Sequence, residues 1–416
     1  MLSAIDAAVK SIALEIYIFA AGELAERFRA ALIAASQRDV KVRVLVDGVG
    51  SMELPDSFWE PLRSAGAEVR VFNPISFGRL GIRNHRKLLA CDGRVAFIGG
   101  FNIAKEYEGD GVTHGWCDLG LRLTGALVEQ LEMSFEGLFE LADFRHRPFV
   151  RLRKSNAKRM LVNEAGQLLL SGPSREASPL LRALRKDLVR VARGASGILP
   201  PGSGRQKTSP GKRFKQFLAS RRSGPPGGTP GSTAGKMPAA TVRLVVAYFL
   251  PPWRLRLELQ RVARRGGRVQ LILAGKSDVA VSQLAGRSLY QRMLRAGVEI
   301  YEYQPQVLHA KLFIVGGAVY AGSANLDFRS LKLNYELMTR FENAEAVSQA
   351  GQIFEAMLTS SQRVEKMAWK KSRSFWTRWK ERWSHILLAR VDPYLSLRQW
   401  RSLPKWASRS WSGRAP

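Results

Sequence analysis

Cysteine is nearly absent from this chain. Cys91 and Cys117 are its only two, too few for a disulfide framework or a Cys-rich zinc site. Histidine is also scarce, with five in 416 residues: His85, His114, His146, His309 and His385. No stretch of roughly eighteen uncharged apolar residues occurs, so no membrane-spanning helix is expected. Asp6, Lys10, Glu15 and Glu23 fall where a secretion signal would be apolar or cleaved, and none is expected. Acidic residues are few, 35 against 65 Lys and Arg, for a net charge of +30. Such an excess predicts attraction to a polyanion, either nucleic acid or the anionic face of a membrane.

A hydrophobic content of 45% in 416 residues is enough for two domains with separate cores. The stretch 84–102, NHRKLLACDGRVAFIGGFN, recurs in altered form at 308–325 as LHAKLFIVGGAVYAGSAN. Each copy has His-x-Lys, an apolar run, a turn, a second apolar run, and a small-residue pair ahead of an Asn. In a strand side chains alternate, so His85 and Lys87 share one face, as do His309 and Lys311. The flanking order repeats too. Strands are expected at Ile12–Phe19, Val40–Val46 and Ala67–Phe72, with helices at 3–10, Glu23–Ser36 and Phe58–Ala65. Later strands at Leu244–Phe249, Arg268–Leu273 and Val298–Tyr303 alternate with helices at Leu255–Arg264 and Ser288–Ala296. Equal order at near-equal spacing marks a duplicated α/β domain with much of its sheet parallel. Two such domains about a pseudo-two-fold axis would bring both motifs to one shared cleft.

The expected divisions are a first domain at 1–150 and a connection with the first helix of the second half at 151–193. A basic, Gly/Pro/Ser-rich insertion at 194–240, a second domain at 241–360 and a basic tail at 361–416 follow. No acid occurs between Asp187 and Glu258, and the insertion has too little apolar surface to order itself. In the tail, Trp369, Trp376, Trp379, Trp383 and Leu387 recur at helical spacing among Lys and Arg. That pattern suits the headgroup region of an anionic bilayer, or else a terminal helix docked on the protein's own core.

The paired motifs are suited to a phosphodiester. Lys87, Lys311, Asn102 and Asn325 can bind its non-bridging oxygens and stabilise the charge that grows on them. One neutral imidazole can attack phosphorus while the other, protonated, supplies the leaving alcohol with its proton. No metal or other cofactor is needed. A carboxylate beside each His would hold its tautomer, and Asp118 and Glu336 are the candidates.

These motifs resemble those of the phospholipase D superfamily: His-x-Lys, four residues, Asp, then Gly-Gly or Gly-Ser and Asn. His85, Lys87, Asp92, Gly99, Gly100 and Asn102 match, as do His309, Lys311, Gly322, Ser323 and Asn325. The stretches VAYFLPPWRLR, LAGKSD and SLYQRMLRAGVEIYEYQPQVLHAKL look, more narrowly, like bacterial cardiolipin synthases. The resemblance implies two phospholipase D-like α/β/α sandwich domains with the active site at their interface. It implies transfer of a phosphatidyl group from phosphatidylglycerol to a second phospholipid, through a phosphohistidine, with release of glycerol. His85 would be the nucleophile and His309 the acid and base. Asp92 would join the two Lys in the catalytic set, with Gly100 and Ser323 among the phosphate-binding residues. The expected setting is peripheral, on the cytoplasmic face of the cell membrane. Alternatives are a phosphodiesterase acting on nucleic acid and an impaired lipid-binding paralogue. The departures are Gly316 where the second motif usually has Asp, less chain ahead of the first helix, and the 194–240 insertion.

Overall fold

Apolar alternation builds the first sheet. In β1 (Ser11–Ile16), Ile12, Leu14 and Ile16 point to one face and Ala13 to the other, nearly all fully buried. The first face packs on Ile5 of α1 (Leu2–Asp6), on Phe28 and Leu32 of α2 (Glu23–Ser36) and on Trp59 and Leu62 of α3 (Asp56–Ser64). The opposite face meets Val128, Leu131 and Phe135 of α4 (Ala126–Phe139). Each such fully buried side chain is worth about 1.5–3 kcal/mol over leaving it in water. The fold is that of a computed structural model, described for residues 1–74, 81–142, 160–163, 166–173, 177–195 and 240–392.

Beside β1 run β2 (Lys41–Asp47) and β3 (Glu68–Phe72), all parallel. The motif strands β4 (Leu88–Cys91) and β5 (Val95–Gly99) and then β6 (Gly120–Thr124) join antiparallel. Much of the sheet is parallel, as expected, and its other half is antiparallel. The short turn between the two motif strands allows only a hairpin, not a crossover. The order is β3-β2-β1-β4-β5-β6.

The second sheet repeats that order. Between β7 (Met160–Asn163) and β8 (Gly166–Ser171), which extend one edge, and β9 (Thr241–Val246) lies α5 (Pro179–Ala195). The further strands are β10 (Arg268–Ala274), β11 (Glu299–Tyr303), β12 (Lys311–Val315), β13 (Ala318–Gly322), β14 (Glu336–Phe341) and β15 (Ser361–Arg363). They lie in the order β15-β11-β10-β9-β12-β13-β14-β8-β7. On one face sit α5, α6 (Trp253–Arg264) and α7 (Ala280–Arg295), and on the other α9 (Ala344–Thr359). The five-residue α8 (Phe328–Lys332) precedes β14. The second half is thus also a helix–sheet–helix sandwich.

Helix α2 has the bounds its amphipathic pattern gives, whereas α7 begins eight residues before the expected Ser288. Within it Gly286 lets the helix lie close to the loop after the strand Thr241–Val246, since a Cβ there would be 3.3 Å from the Phe249 carbonyl. The β7–β8 hairpin was not expected, being short and set among basic residues. Most of the 194–240 insertion lies outside the described residues. In the tail, α10 (Lys366–Lys371), α11 (Phe375–Ile386) and a π turn (Leu387–Val391) follow one another, and α10 and α11 lie against α7.

The halves are joined by two reciprocal bridges, Asn84 with Tyr335 and Cys117 with Leu308. His85 donates its amide to the Tyr335 carbonyl at 2.9 Å, and His309 donates to Cys117 at 2.7 Å. Each motif histidine therefore enters its strand while hydrogen-bonded to the chain of the other half.

Candidate active site

The bridges decide what faces each imidazole. Asp118 follows Cys117 and Glu336 follows Tyr335, so each carboxylate reaches the histidine across the interface. His85 Nδ1 lies 3.0 Å from Glu336 Oε2, and His309 Nδ1 lies 2.6 Å from Asp118 Oδ2. The sequence placed a carboxylate beside each His without saying which. The structure crosses them, first half to second and second to first. With Nδ1 committed to a carboxylate, Nε2 of His85 is left to face a ligand.

The small residues ahead of the two Asn hold these carboxylates. Ser323 donates its hydroxyl to Glu336 Oε2 at 2.5 Å and accepts from the Leu337 amide at 3.0 Å. Its counterpart Gly100 leaves space instead, for a Cβ there would stand 2.3 Å from Asp118 Oδ1. Both were expected to bind phosphate. They are buried against the carboxylates that orient the histidines.

Lys87 and Lys311 are buried behind the rings. Lys87 Nζ donates to the His85 carbonyl at 2.8 Å, and Lys311 Nζ donates to the His309 carbonyl. Lys311 Nζ also lies 2.8 and 3.0 Å from the two ring nitrogens of His309. Burial lowers the Lys87 pKa to about 7, against the attraction of Glu336 and with the repulsion of Lys311. Burial and the adjacent Lys311 ammonium bring the His309 pKa down to about 4. Burial also lowers that of His85, although Glu336 works the other way. A bound phosphate would oppose these shifts, because an anion beside an imidazole or ammonium favours the charged form.

Both imidazoles line one cavity of about 460 Å³, together with Asn102 and Asn325. Asn102 accepts from the Ile18 amide at 3.1 Å and donates to the Tyr107 hydroxyl at 2.7 Å. Asn325 is buried, and its Oδ1 has no partner among the described residues.

Asp92 is not in this cavity. It lies in the turn beyond β4, at the opposite end from His85, with φ 56°, and accepts from the amides of Val9, Lys10 and Ser11. That corrects its place in the catalytic set, since it ties a loop to the sheet. Gly316 takes the same left-handed turn with φ 60°, and its amide donates to Thr241 as that of Asp92 donates to Ser11. The substitution keeps the backbone and removes only the side-chain bonds.

Several lining residues were not foreseen. Tyr17 lies 4.9 Å from His85 between ring centroids, while Tyr107, Trp116 and Tyr248 stand at 5.5, 5.6 and 6.5 Å from His309. The Tyr248 hydroxyl donates to Asp278. Arg329 meets Asp392, just past the π turn of the tail, through bonds of 2.8 and 2.6 Å. Tyr248 and Asp278 fall inside VAYFLPPWRLR and LAGKSD, which offered a signal. No periodicity marks the others.

The chain is similar to proteins of known family. The family described as "Cardiolipin synthase, PLD-like domain" matches residues 1–110 and 236–358. Cardiolipin synthase B of Escherichia coli is 32% identical over 340 residues, covering 80% of this chain and 71% of its own. Cardiolipin synthase 1 of Bacillus anthracis is 28% identical over 383 residues, covering 89% and 66%. The chain spans 66% of that relative's length and 63% of a probable cardiolipin synthase of Bacillus subtilis. Among solved structures, phosphatidylserine synthase of Haemophilus influenzae superposes with a TM-score of 0.65 at 12% identity, over 95% of this chain and 92% of that one. That likeness concerns the fold alone. With the family pattern falling on both halves and a relative above 30% identity over most of its length, the chain belongs to the cardiolipin synthase, phospholipase D-like domain family.

Proposed function

We propose that this chain is a phosphatidyltransferase that moves a phosphatidyl group from phosphatidylglycerol to the hydroxyl of a second phospholipid, at a membrane surface and through a phosphohistidine. The observation that carries the reading is the pair of imidazoles lining one cavity, each clasped by a carboxylate of the opposite half. His85 is the nucleophile. With Nδ1–H donating to Glu336, its Nε2 lone pair attacks phosphorus, the P–O bond to glycerol breaks, and protonated His309 gives its proton to the departing oxygen. Neutral His309 then takes the proton of the incoming hydroxyl, whose oxygen attacks phosphorus. The P–N bond breaks and its electron pair returns to His85. Lys87, Lys311, Asn102 and Asn325 surround the reacting centre, where they stabilise charge on the non-bridging oxygens.

Asp118 and the bound phosphate together favour the charged form of His309 against its burial, and Glu336 does the same for the imidazolium-like nitrogen of phosphorylated His85. Among the described residues no helix is long and apolar enough to cross a membrane, and peripheral attachment suits a substrate presented at the bilayer surface.

The test is incubation of the purified chain with defined phosphatidylglycerol in chelator, with products identified by mass spectrometry. Cardiolipin and free glycerol are expected from wild type and neither from His309→Ala. A phosphatidyl adduct on His85 should be trapped on rapid quenching. Absence of lipid products, or metal-independent cleavage of DNA in their place, would overturn the proposal.

A further inference from the structure

The tail divides its aromatic residues between two environments. Trp369 belongs to the protein: its ring lies 4.8 Å from that of Tyr290 on α7, with the Arg373 guanidinium 3.4 Å over it. Arg373 is in turn paired with the buried Glu381 at 2.8 Å. These contacts fix which side of α11 faces inward. The outward side carries Trp376, Trp379, Trp383, Leu387 and Val391, one stripe at helical spacing, with Phe375 beside its start. Trp376 is 67% exposed, Trp379 47% and Trp383 54%. Among the described residues their rings meet one another, at 6.1 and 5.8 Å, and Trp376 meets the neighbouring Phe375 at 5.7 Å.

The stripe is neither isolated nor neutral. Lys366, Lys370, Lys371, Arg378, Lys380 and Arg382 around it are exposed, while Glu381, the one acid from 366 to 391, is buried. At its far end the stripe runs into the cavity wall, where Leu388 and Asp392 are lining residues. On α7 and the turn before it, Val279 and Val281 are 41% and 38% exposed, and Val279 also lines the cavity.

We infer that the outward face of α11, continued by Leu387, Val391, Val279 and Val281, is the surface that seats the cavity mouth on an anionic lipid bilayer. Tryptophan favours the headgroup region because its ring is apolar and its N–H remains hydrated, and the surrounding cations match an anionic leaflet. A second copy of the chain is a poorer occupant, since it would bring two sets of like charge face to face without a compensating acid. A helix so placed lies in the plane of the surface, with the mouth beside it. The inference rests on the lipid reading of the site. It explains why an apolar stripe remains exposed on a helix that is otherwise docked.

The experiment uses the full chain and two readouts. The first is flotation with vesicles of phosphatidylcholine alone or mixed with phosphatidylglycerol, for wild type and for Trp376→Ser/Trp379→Ser/Trp383→Ser and Lys370→Ser/Lys371→Ser/Lys380→Ser. Wild type should bind the mixed vesicles far better than the neutral ones, and each triple variant should lose about a hundredfold in apparent affinity. Melting temperatures should stay close to wild type, because the altered side chains are exposed. The second readout is transfer on a short-chain, monomeric phosphatidylglycerol, which should be unchanged in both variants while transfer on vesicles falls. Undiminished vesicle binding by the tryptophan variant would overturn the inference. So would loss of a dimer in that variant with lipid binding intact, which would assign the stripe to a second copy. If no chain turns over any lipid, the transferase reading fails while flotation still decides the docking surface.

Discussion

Replacing Gly100 by alanine adds one methyl group outside the reacting pair, and its effect can be worked through the structure. The new Cβ would stand 2.3 Å from Asp118 Oδ1, 2.8 Å from Oδ2 and 2.9 Å from Cγ. Ordinary contact requires about 3.4 Å, so the carboxylate must retreat by about 1 Å. Its bond to His309 Nδ1, now 2.6 Å, would lengthen beyond hydrogen-bonding range. A charge-assisted hydrogen bond is worth about 1.5–3 kcal/mol, or about a tenfold to hundredfold loss in kcat at 1.36 kcal/mol per decade. KM should change little, because Gly100 does not line the cavity. The assay is initial-rate transfer from phosphatidylglycerol across pH, with a melting curve to separate overpacking from chemistry. If Gly100 acts through Asp118, the loss should nearly vanish in an Asp118→Asn background, since the two changes remove one interaction. Wild-type rates in Gly100→Ala, or a full additional loss on top of Asp118→Asn, would refute the reasoning.

Lys87→Met should abolish transfer yet stabilise the fold by about 1–2 kcal/mol, because it replaces a buried ammonium beside Lys311 with a side chain of similar volume; melting temperature should rise about 2–4 °C. The folded pKa of about 7 lies below the unfolded value, so the folded state resists the proton. The gain is therefore fullest below pH 7 and fades as pH rises toward about 10.4. The profile of kcat, which reports the loaded site, should be a bell. Its acid limb appears as His85 takes a proton, and its alkaline limb as His309, whose charged form the bound phosphate favours, loses its own; a flat profile would contradict two histidines in opposite protonation states. Asp92→Ala should cost about 1–2 kcal/mol of stability, measured by denaturant melts, for the three amides it leaves unbonded, with kcat unchanged, whereas Gly316→Asp should alter neither by much. Asp392→Asn removes the charge that neutralises Arg329 at the cavity wall, and should lower KM for anionic lipid about threefold at low salt, fading as salt screens it.

The two His-x-Lys stretches were legible because their geometry is local: a strand, a tight turn and a strand fix the face on which each side chain stands. The internal repeat extended that reading to the order of elements along both halves. What local pattern does not contain is which carboxylate meets which imidazole. Asp118 and Glu336 could be singled out by their place after the Asn, but the crossing arises from the bridges at Cys117–Leu308 and Asn84–Tyr335. Gly100 and Ser323 were misplaced for the same reason, since a small residue beside a motif Asn gives no sign that it serves the carboxylate behind it. Trp369 shares the spacing of the exposed tryptophans and differs only through Tyr290 and Arg373. The cavity's tyrosines and Arg329 lie mostly on connecting segments, where neither period two nor period 3.6 identifies a residue.

One arrangement in the second sheet bears on how the chain holds together. Strand β8 pairs with β14 over five residues, and α5 packs on α6, yet both β8 and α5 precede the basic insertion while their partners follow it. A nick anywhere within 196–239 would therefore separate the polypeptide into two fragments that remain interlocked. The amino-terminal piece would carry away the strand and helix that complete the carboxy-terminal one, and with them Asp118, on which His309 depends. Covalent continuity there serves assembly of the fold more than its upkeep.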